Sequence, residues 1–154
     1  MTITTINNLN VHLVQLQDLD SVFQLESDLF YPDNYPYFFF RQAFDSMTEL
    51  FLVAKLGGKL VGYALGTLQA GRSDGWILGL AVSKAARRKG VATKLLQRLL
   101  NSFKEKGAKS GMLHVAPTNE VAIRLYTKHD FIEAGGEENY FGLDHARIVM
   151  RVGF

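Results

Sequence analysis

A chain of 154 residues, 47% hydrophobic and 21% charged, has the make-up of one folded domain that can bury a real core. Its net charge of +2 is too small to argue for general nucleic-acid binding, and the absence of cysteine excludes disulfides, thiolate metal sites and a cysteine nucleophile. The opening "MTITTINNLN" lacks a basic segment followed by an apolar run, and no stretch reaches membrane-span length, so the cytoplasm is the default compartment.

In chain order, "VHLVQL" (11–16) reads as a first strand. Residues 18–30 follow as a helix, with Leu19, Val22, Phe23, Leu25 and Leu29 near helical spacing and Asp18 as the expected cap. A turn-rich "YPDNYP" leads to a short second helix, "YFFFRQAF", whose aromatic run is expected to be mostly core. Two strands then flank Gly57-Gly58, a pair that supplies the positive φ angles of a tight hairpin. "GWILGLAV" (75–82) reads as a buried strand. From Val91 the period changes, and Val91, Leu95, Leu96, Leu99, Leu100 and Phe103 share one helical face that ends near Gly107. "SGMLHVA" (110–116) is a strand. Pro117 with Thr118 or Asn119 opens another helix, and residues 130–141 and 146–152 read as two closing strands. No linker, repeat or low-complexity segment intervenes. The order predicts a single mixed α/β domain, residues 1–154, around one central sheet.

"ARRKGVAT" (86–93) stands where the buried strand gives way to the long amphipathic helix. The first turn of a helix has unpaired N–H groups and partial positive charge. Gly90 and Ala92 would let a ligand approach the backbone, and Arg87, Arg88 and Lys89 add cations beside it. That combination suits a phosphate, most naturally a pyrophosphate. The same residues also fit a plain helix start with solvated cations. Neither G-x-x-x-x-G-K-[ST] nor G-x-G-x-x-G after a strand occurs, which argues against an NTPase or a dinucleotide dehydrogenase.

Arg87-Arg88-Lys89-Gly90-Val91-Ala92 resembles the [Q/R]-x-x-G-x-[G/A] motif of the GNAT superfamily of acetyl-CoA-dependent N-acetyltransferases. "LGLAV" precedes it as that family's bulged fourth strand does. "NEVAIRLYTKHDF" (119–131) resembles the family's N-x-x-A-x-x-L-Y-x-K-x-G-F segment, with Asp130 in place of the usual glycine. Asp tolerates the left-handed conformation better than most residues, so a local turn is in question rather than the fold. The resemblance implies a mostly antiparallel sheet flanked by helices and splayed between strands four and five. It implies that the amides of Arg88, Lys89, Gly90, Val91, Ala92 and Thr93 hold the pyrophosphate of acetyl-CoA, with Arg87 beside them. Backbone groups of Leu80, Ala81 and Val82 would face the pantetheine arm, which Asn119 would help hold.

Acetyl transfer needs a neutral amine and a proton for the departing thiolate. A tyrosine, with a pKa of about 10, can serve a thiolate whose conjugate acid is near 8.5. Tyr126 resembles the family tyrosine given this task; from spacing alone it also fits a packed helix aromatic. His114, on the strand face shared with Met112, resembles the Glu or His suggested as base in the N-terminal acetyltransferase branch, and it also fits a structural histidine. Glu133, Glu138 and Asp33 are weaker candidates. His12, His114, His129 and His145 lack zinc-like spacing, so no metal is expected.

Two segments stand where the family builds acceptor walls. "LFYPDNYP" (29–36) offers Phe30 and Tyr31. "ENYF" (138–141) offers Tyr140 and resembles the N-Y-Y-type segment of N-terminal peptide acetyltransferases, including the ribosomal-protein-alanine type. The expected acceptor is a protein or peptide N-terminal α-amine. A polyamine, aminoglycoside or arylalkylamine is the alternative, since fold alone does not choose a substrate, and an inactive acetyl-CoA-binding regulatory module is the alternative of another class. The expected partners are acetyl-CoA and the amine, without nucleic acid or membrane, for a monomer or homodimer.

Overall fold

Gly57 (φ 60) and Gly58 (φ 85) both take left-handed backbone, and the hairpin they close organises the first half of the chain. The computed structural model describes residues 8–154. Residues 1–7, which carry most of the opening segment read for a leader pattern, lie outside the described residues. Strands β1 (Leu9–Leu13), β2 (Phe51–Leu56), β3 (Lys59–Leu68), β4 (Asp74–Val82), β5 (Ser110–Val115), β6 (Ile132–Glu137) and β7 (Arg147–Gly153) join helices α1 (Leu19–Phe30), α2 (Tyr37–Ser46), α3 (Val91–Glu105) and α4 (Glu120–Lys128). The seven strands form one sheet in the order β1-β2-β3-β4-β5-β7-β6.

Every pairing with a described register is antiparallel except β4 with β5, which is parallel. That ladder runs from Asp74↔Ser110 to Ile77↔Leu113 and stops there, although β4 continues to Val82 and β5 to Val115.

The chain divides into two compact units, 8–66 with 79–102, and 67–78 with 103–154, among the described residues. In the first, Phe40, Phe51 and Tyr63 form a ring cluster with centroids 5.4–6.2 Å apart. Val91 and Leu95 of α3 pack beneath Gly62, where a Cβ would come within 3.3 Å of both side chains. Val91, Leu95, Leu96 and Leu99 are at most 1% exposed, and each such side chain contributes about 1.5–3 kcal/mol on burial. In the second unit, Phe103 lies under Gly75 so closely that a Cβ there would sit 2.5 Å from its ring. Gly107 (φ 93) closes α3: its N–H bonds to Lys104 and that of Ala108 to Phe103.

The first strand occupies 9–13 rather than 11–16, because the chain turns at Gln15, whose N–H donates to the Asp18 carboxylate at 2.9 Å. Asp18 therefore does not cap α1. Its backbone is already helical (φ −81, ψ −17), and its buried carboxylate pairs with Lys55 at 2.9 Å. The "YFFF" run is not mostly core: Phe40 is fully buried, but Phe38 is 64% exposed. The strand expected over 130–141 is β6 alone, 132–137. Residues 139–142 form a turn in which Gly142 N–H bonds to the Asn139 carbonyl, and Asn139 Oδ1 accepts the Asp144 N–H.

Candidate active site

The segment between β4 and α3 runs through a short 3-10 turn, 84–86, then an extended Arg87. Arg88 (φ 64) and Gly90 (φ 79) both take left-handed backbone. Left-handed residues in a turn can bring backbone N–H groups to one side, a common anion-binding arrangement. Lys94 N–H closes the first turn of α3 on the Gly90 carbonyl, so Val91 and Ala92 hold opening-turn positions whose N–H groups have no intrahelical acceptor. A Cβ at Gly90 would meet nothing within 4 Å, so the backbone lies open there. Arg87 and Arg88 are exposed and Lys89 is half-buried. The chemistry of these residues fits a pyrophosphate: opening-turn N–H donors, an open backbone face and three cations. On β4, Leu80 and Val82 are half-buried, while Ala81 turns its methyl inward. The residues of this unit expected at an acceptor wall, Phe30 (39% exposed) and Tyr31 (80%), stand at the end of α1 and just beyond it.

The second unit carries the other candidates. Asn119 caps α4, its Oδ1 accepting the Ala122 N–H at 3.1 Å. The helix ends in a Schellman motif: Phe131 N–H bonds to the Tyr126 carbonyl and Asp130 N–H to that of Thr127, with Asp130 left-handed at φ 71. Asp130 thus takes the conformation that the usual glycine would take. The motif's apolar contact is Tyr126 against Phe131, with centroids 5.4 Å apart. This cap holds Tyr126, which is 7% exposed, and burial pushes its hydroxyl well above the usual phenol range.

His114 is packed face to face between two rings, Trp76 at 4.9 Å (13° between planes) and Tyr140 at 3.9 Å (18°). Trp76 pairs with Met112, which makes it a diagonal neighbour of His114 on the same sheet face. Both faces of the imidazole are covered, leaving the ring edge and its nitrogens for hydrogen bonding. Burial lowers its pKa below the ordinary histidine value; Glu137 pulls it back up, and Arg147 lowers it further. Tyr140 touches Phe141 edge-on, and the Arg147 guanidinium sits 4.7 Å over the Phe141 ring. The weaker candidates Glu133, Glu138 and Asp33 are all exposed. Trp76 is the residue the sequence reading missed; its signal was being the one tryptophan of the chain, on a strand otherwise read as core.

Residues 16–131 match the Acetyltransferase (GNAT) family. The chain belongs to that family and is an acetyltransferase by it. It is 33% identical over 145 residues to an N-alpha-acetyltransferase of Sulfolobus acidocaldarius, covering 87% of this chain and 86% of that protein. Among solved structures, Ard1 from Thermoplasma volcanium superimposes with a TM-score of 0.87 at 25% identity, covering 95% of this chain and 97% of that one. The ribosomal-protein-S18-alanine N-acetyltransferase of Escherichia coli has the same fold, with a TM-score of 0.79 at 20% identity over 94% of this chain and 93% of that one.

Proposed function

We propose that this chain, working as a single domain over 1–154, transfers the acetyl group of acetyl-CoA to the N-terminal α-amine of a peptide or protein. The observation that carries the chemistry is His114, held neutral between Trp76 and Tyr140. Its similarity to the N-alpha-acetyltransferase of S. acidocaldarius supports the acceptor class. An α-amine with a pKa near 8 is about 10% neutral at pH 7, whereas a lysine side chain near 10.4 is about 0.04% neutral. A histidine base suits the first.

The amides of Arg88–Thr93, with Arg87 and Lys89, hold the pyrophosphate; backbone groups of Leu80–Val82 align the pantetheine arm, assisted by the Asn119 amide nitrogen. Phe30, Tyr31 and Tyr140 flank the acceptor. His114, directly or through one water, takes the proton that the attacking amine loses as its nitrogen bonds to the thioester carbon. Tyr126 donates its O–H to the sulfur as the C–S bond breaks. The setting of this reaction would be the cytoplasm; among the described residues no helix is long and apolar enough to cross a membrane.

The test is turnover of acetyl-CoA on a peptide with a free N-terminus, its N-blocked lysine counterpart, polyamines, aminoglycosides and arylalkylamines. The free-N-terminus peptide should lead. Preference for the blocked peptide or a small amine would overturn the acceptor class, and binding without any turnover would support a regulatory module instead.

A further inference from the structure

Helix α1 buries a carboxylic acid that the acetyl-transfer chemistry does not use. Glu26 is 4% exposed. Its Oε1 accepts the Tyr63 hydroxyl at 2.6 Å, and its Oε2 accepts the Tyr35 backbone N–H at 2.9 Å. Burial raises its pKa, and the hydrogen bonds from Tyr63 and Tyr35 pull it back down. Tyr63 has little freedom to move: its ring is wedged against Phe40 and Phe51, and its hydroxyl occupies the place of an absent side chain on β4, where a Cβ on Gly79 would lie 2.6 Å away. Tyr35 ends the loop after α1. There its ring stacks on Phe39 at 4.1 Å, and neighbouring Asn34 Nδ2 donates to Ser27 Oγ at 3.3 Å.

A buried carboxyl is an expensive way to fill this space, because an apolar side chain of similar volume is often as stable or more so. What the carboxyl adds is direction. It ties one point of α1 to β3 and to the far end of the loop whose near end carries Phe30 and Tyr31. We propose that Glu26 is a positioning residue for the amine acceptor, holding the 31–35 loop, and with it Phe30 and Tyr31, through Tyr35 and Tyr63. This rests on the reading of Phe30 and Tyr31 as acceptor-side residues.

The experiment compares wild type with Glu26→Met, Glu26→Gln and Tyr63→Phe. Glu26→Met keeps volume and removes both acceptor oxygens, so it should fold with stability near wild type. Hydrogen exchange of the protein without substrates should show the amides of 33–35 exchanging roughly tenfold faster in Glu26→Met, with α3 unchanged. With saturating acetyl-CoA, the acceptor KM should rise roughly tenfold in Glu26→Met and less in Tyr63→Phe, with kcat and acetyl-CoA affinity moving far less. Glu26→Gln, whose amide oxygen can still accept the Tyr35 N–H, should recover much of the loss. A loop that exchanges no faster, or a loss of kcat with KM unmoved, overturns the assignment. If the wild type acetylates no peptide N-terminus, the acceptor reading fails by itself, and the exchange data still decide the anchor.

Discussion

Gly90→Ala separates backbone conformation from ligand binding at the start of α3. At φ 79 an L-residue costs about 1–2 kcal/mol relative to glycine. Nothing lies within 4 Å of the new methyl, so no clash adds to that cost. For a chain of this size the strain corresponds to a melting-temperature loss of about 2–8 °C. Valine is the poorer probe, because a β-branched residue tolerates positive φ least; the fold would not escape that substitution untouched. If the pyrophosphate lies against this backbone, the methyl stands in its way and weakens at least one charge-assisted hydrogen bond. Such a bond is worth about 1.5–3 kcal/mol, or roughly 10- to 100-fold in acetyl-CoA affinity. Gly107→Ala is the control. That glycine, at the other end of the same helix, has φ 93 and equally open surroundings, so it suffers the same strain without the ligand. Calorimetry with acetyl-CoA should show the affinity loss in Gly90→Ala alone. Equal affinities in the two folded variants would refute the site.

Tyr126→Phe should lower kcat by roughly 10²- to 10⁴-fold with acetyl-CoA affinity little changed, measured where chemistry limits the rate; unchanged turnover rejects the acid role. His114→Ala should lower kcat/KM most near neutral pH and recover partly at higher pH, as the α-amine deprotonates unaided; parallel pH–rate profiles for the two proteins would remove His114 from the mechanism. Tyr140→Ala uncovers one face of His114, so the histidine's pKa, followed by NMR, should rise toward its ordinary value and the acid limb of the variant's rate profile should lie at higher pH than that of wild type. Glu26 has a folded pKa above its unfolded value, so its favourable contribution is complete below the unfolded pKa and is lost as pH rises through the folded one. The melting temperature of wild type relative to Glu26→Gln should therefore fall as pH rises from about 4 to 7.

Period and punctuation made much of the fold legible. The α3 face at Val91, Leu95, Leu96, Leu99 and Phe103 is buried as its spacing predicts, with Leu100 half-buried, and Gly57-Gly58 and Gly107 sit at the turn and helix end they imply. Capping was less readable at Asp18. An acidic residue before an apolar run fits a cap, but a competing N–H three residues earlier and a lysine 37 positions later claim the carboxylate instead. The candidate site shows the same division. The helix segment with Tyr126 was readable because its positions are consecutive, and the Asp130 departure proved harmless because the turn needs only a residue that can take φ 71. The Trp76–His114–Tyr140 stack was not readable as a unit, because it depends on which residues of two strands stand opposite and on a turn folding back over them. Glu26 and Tyr63 are likewise 37 positions apart and meet only through helix-on-sheet packing.

In the proposed mechanism one physical cause suits Tyr126 to the acid role and His114 to the base role. Desolvation disfavours whichever form of a group is charged. For Tyr126 that form is the phenolate, so burial raises its pKa; for His114 it is the imidazolium, so burial lowers it. Near neutral pH the first therefore keeps its proton and the second lacks one. If the proposed roles hold, the helix cap that buries Tyr126 against Phe131 and the two rings that cover His114 serve the chemistry as well as the fold. The same shift constrains the acid step. A phenol held above its usual range is a poor donor to a free thiolate of ordinary basicity, near 8.5. In the proposed role Tyr126 would act while the C–S bond is breaking, by hydrogen-bonding a sulfur whose charge is still developing. The hydroxyl is accordingly worth most in the transition state and little in the ground state, which is why its removal should appear in kcat and leave acetyl-CoA binding almost untouched.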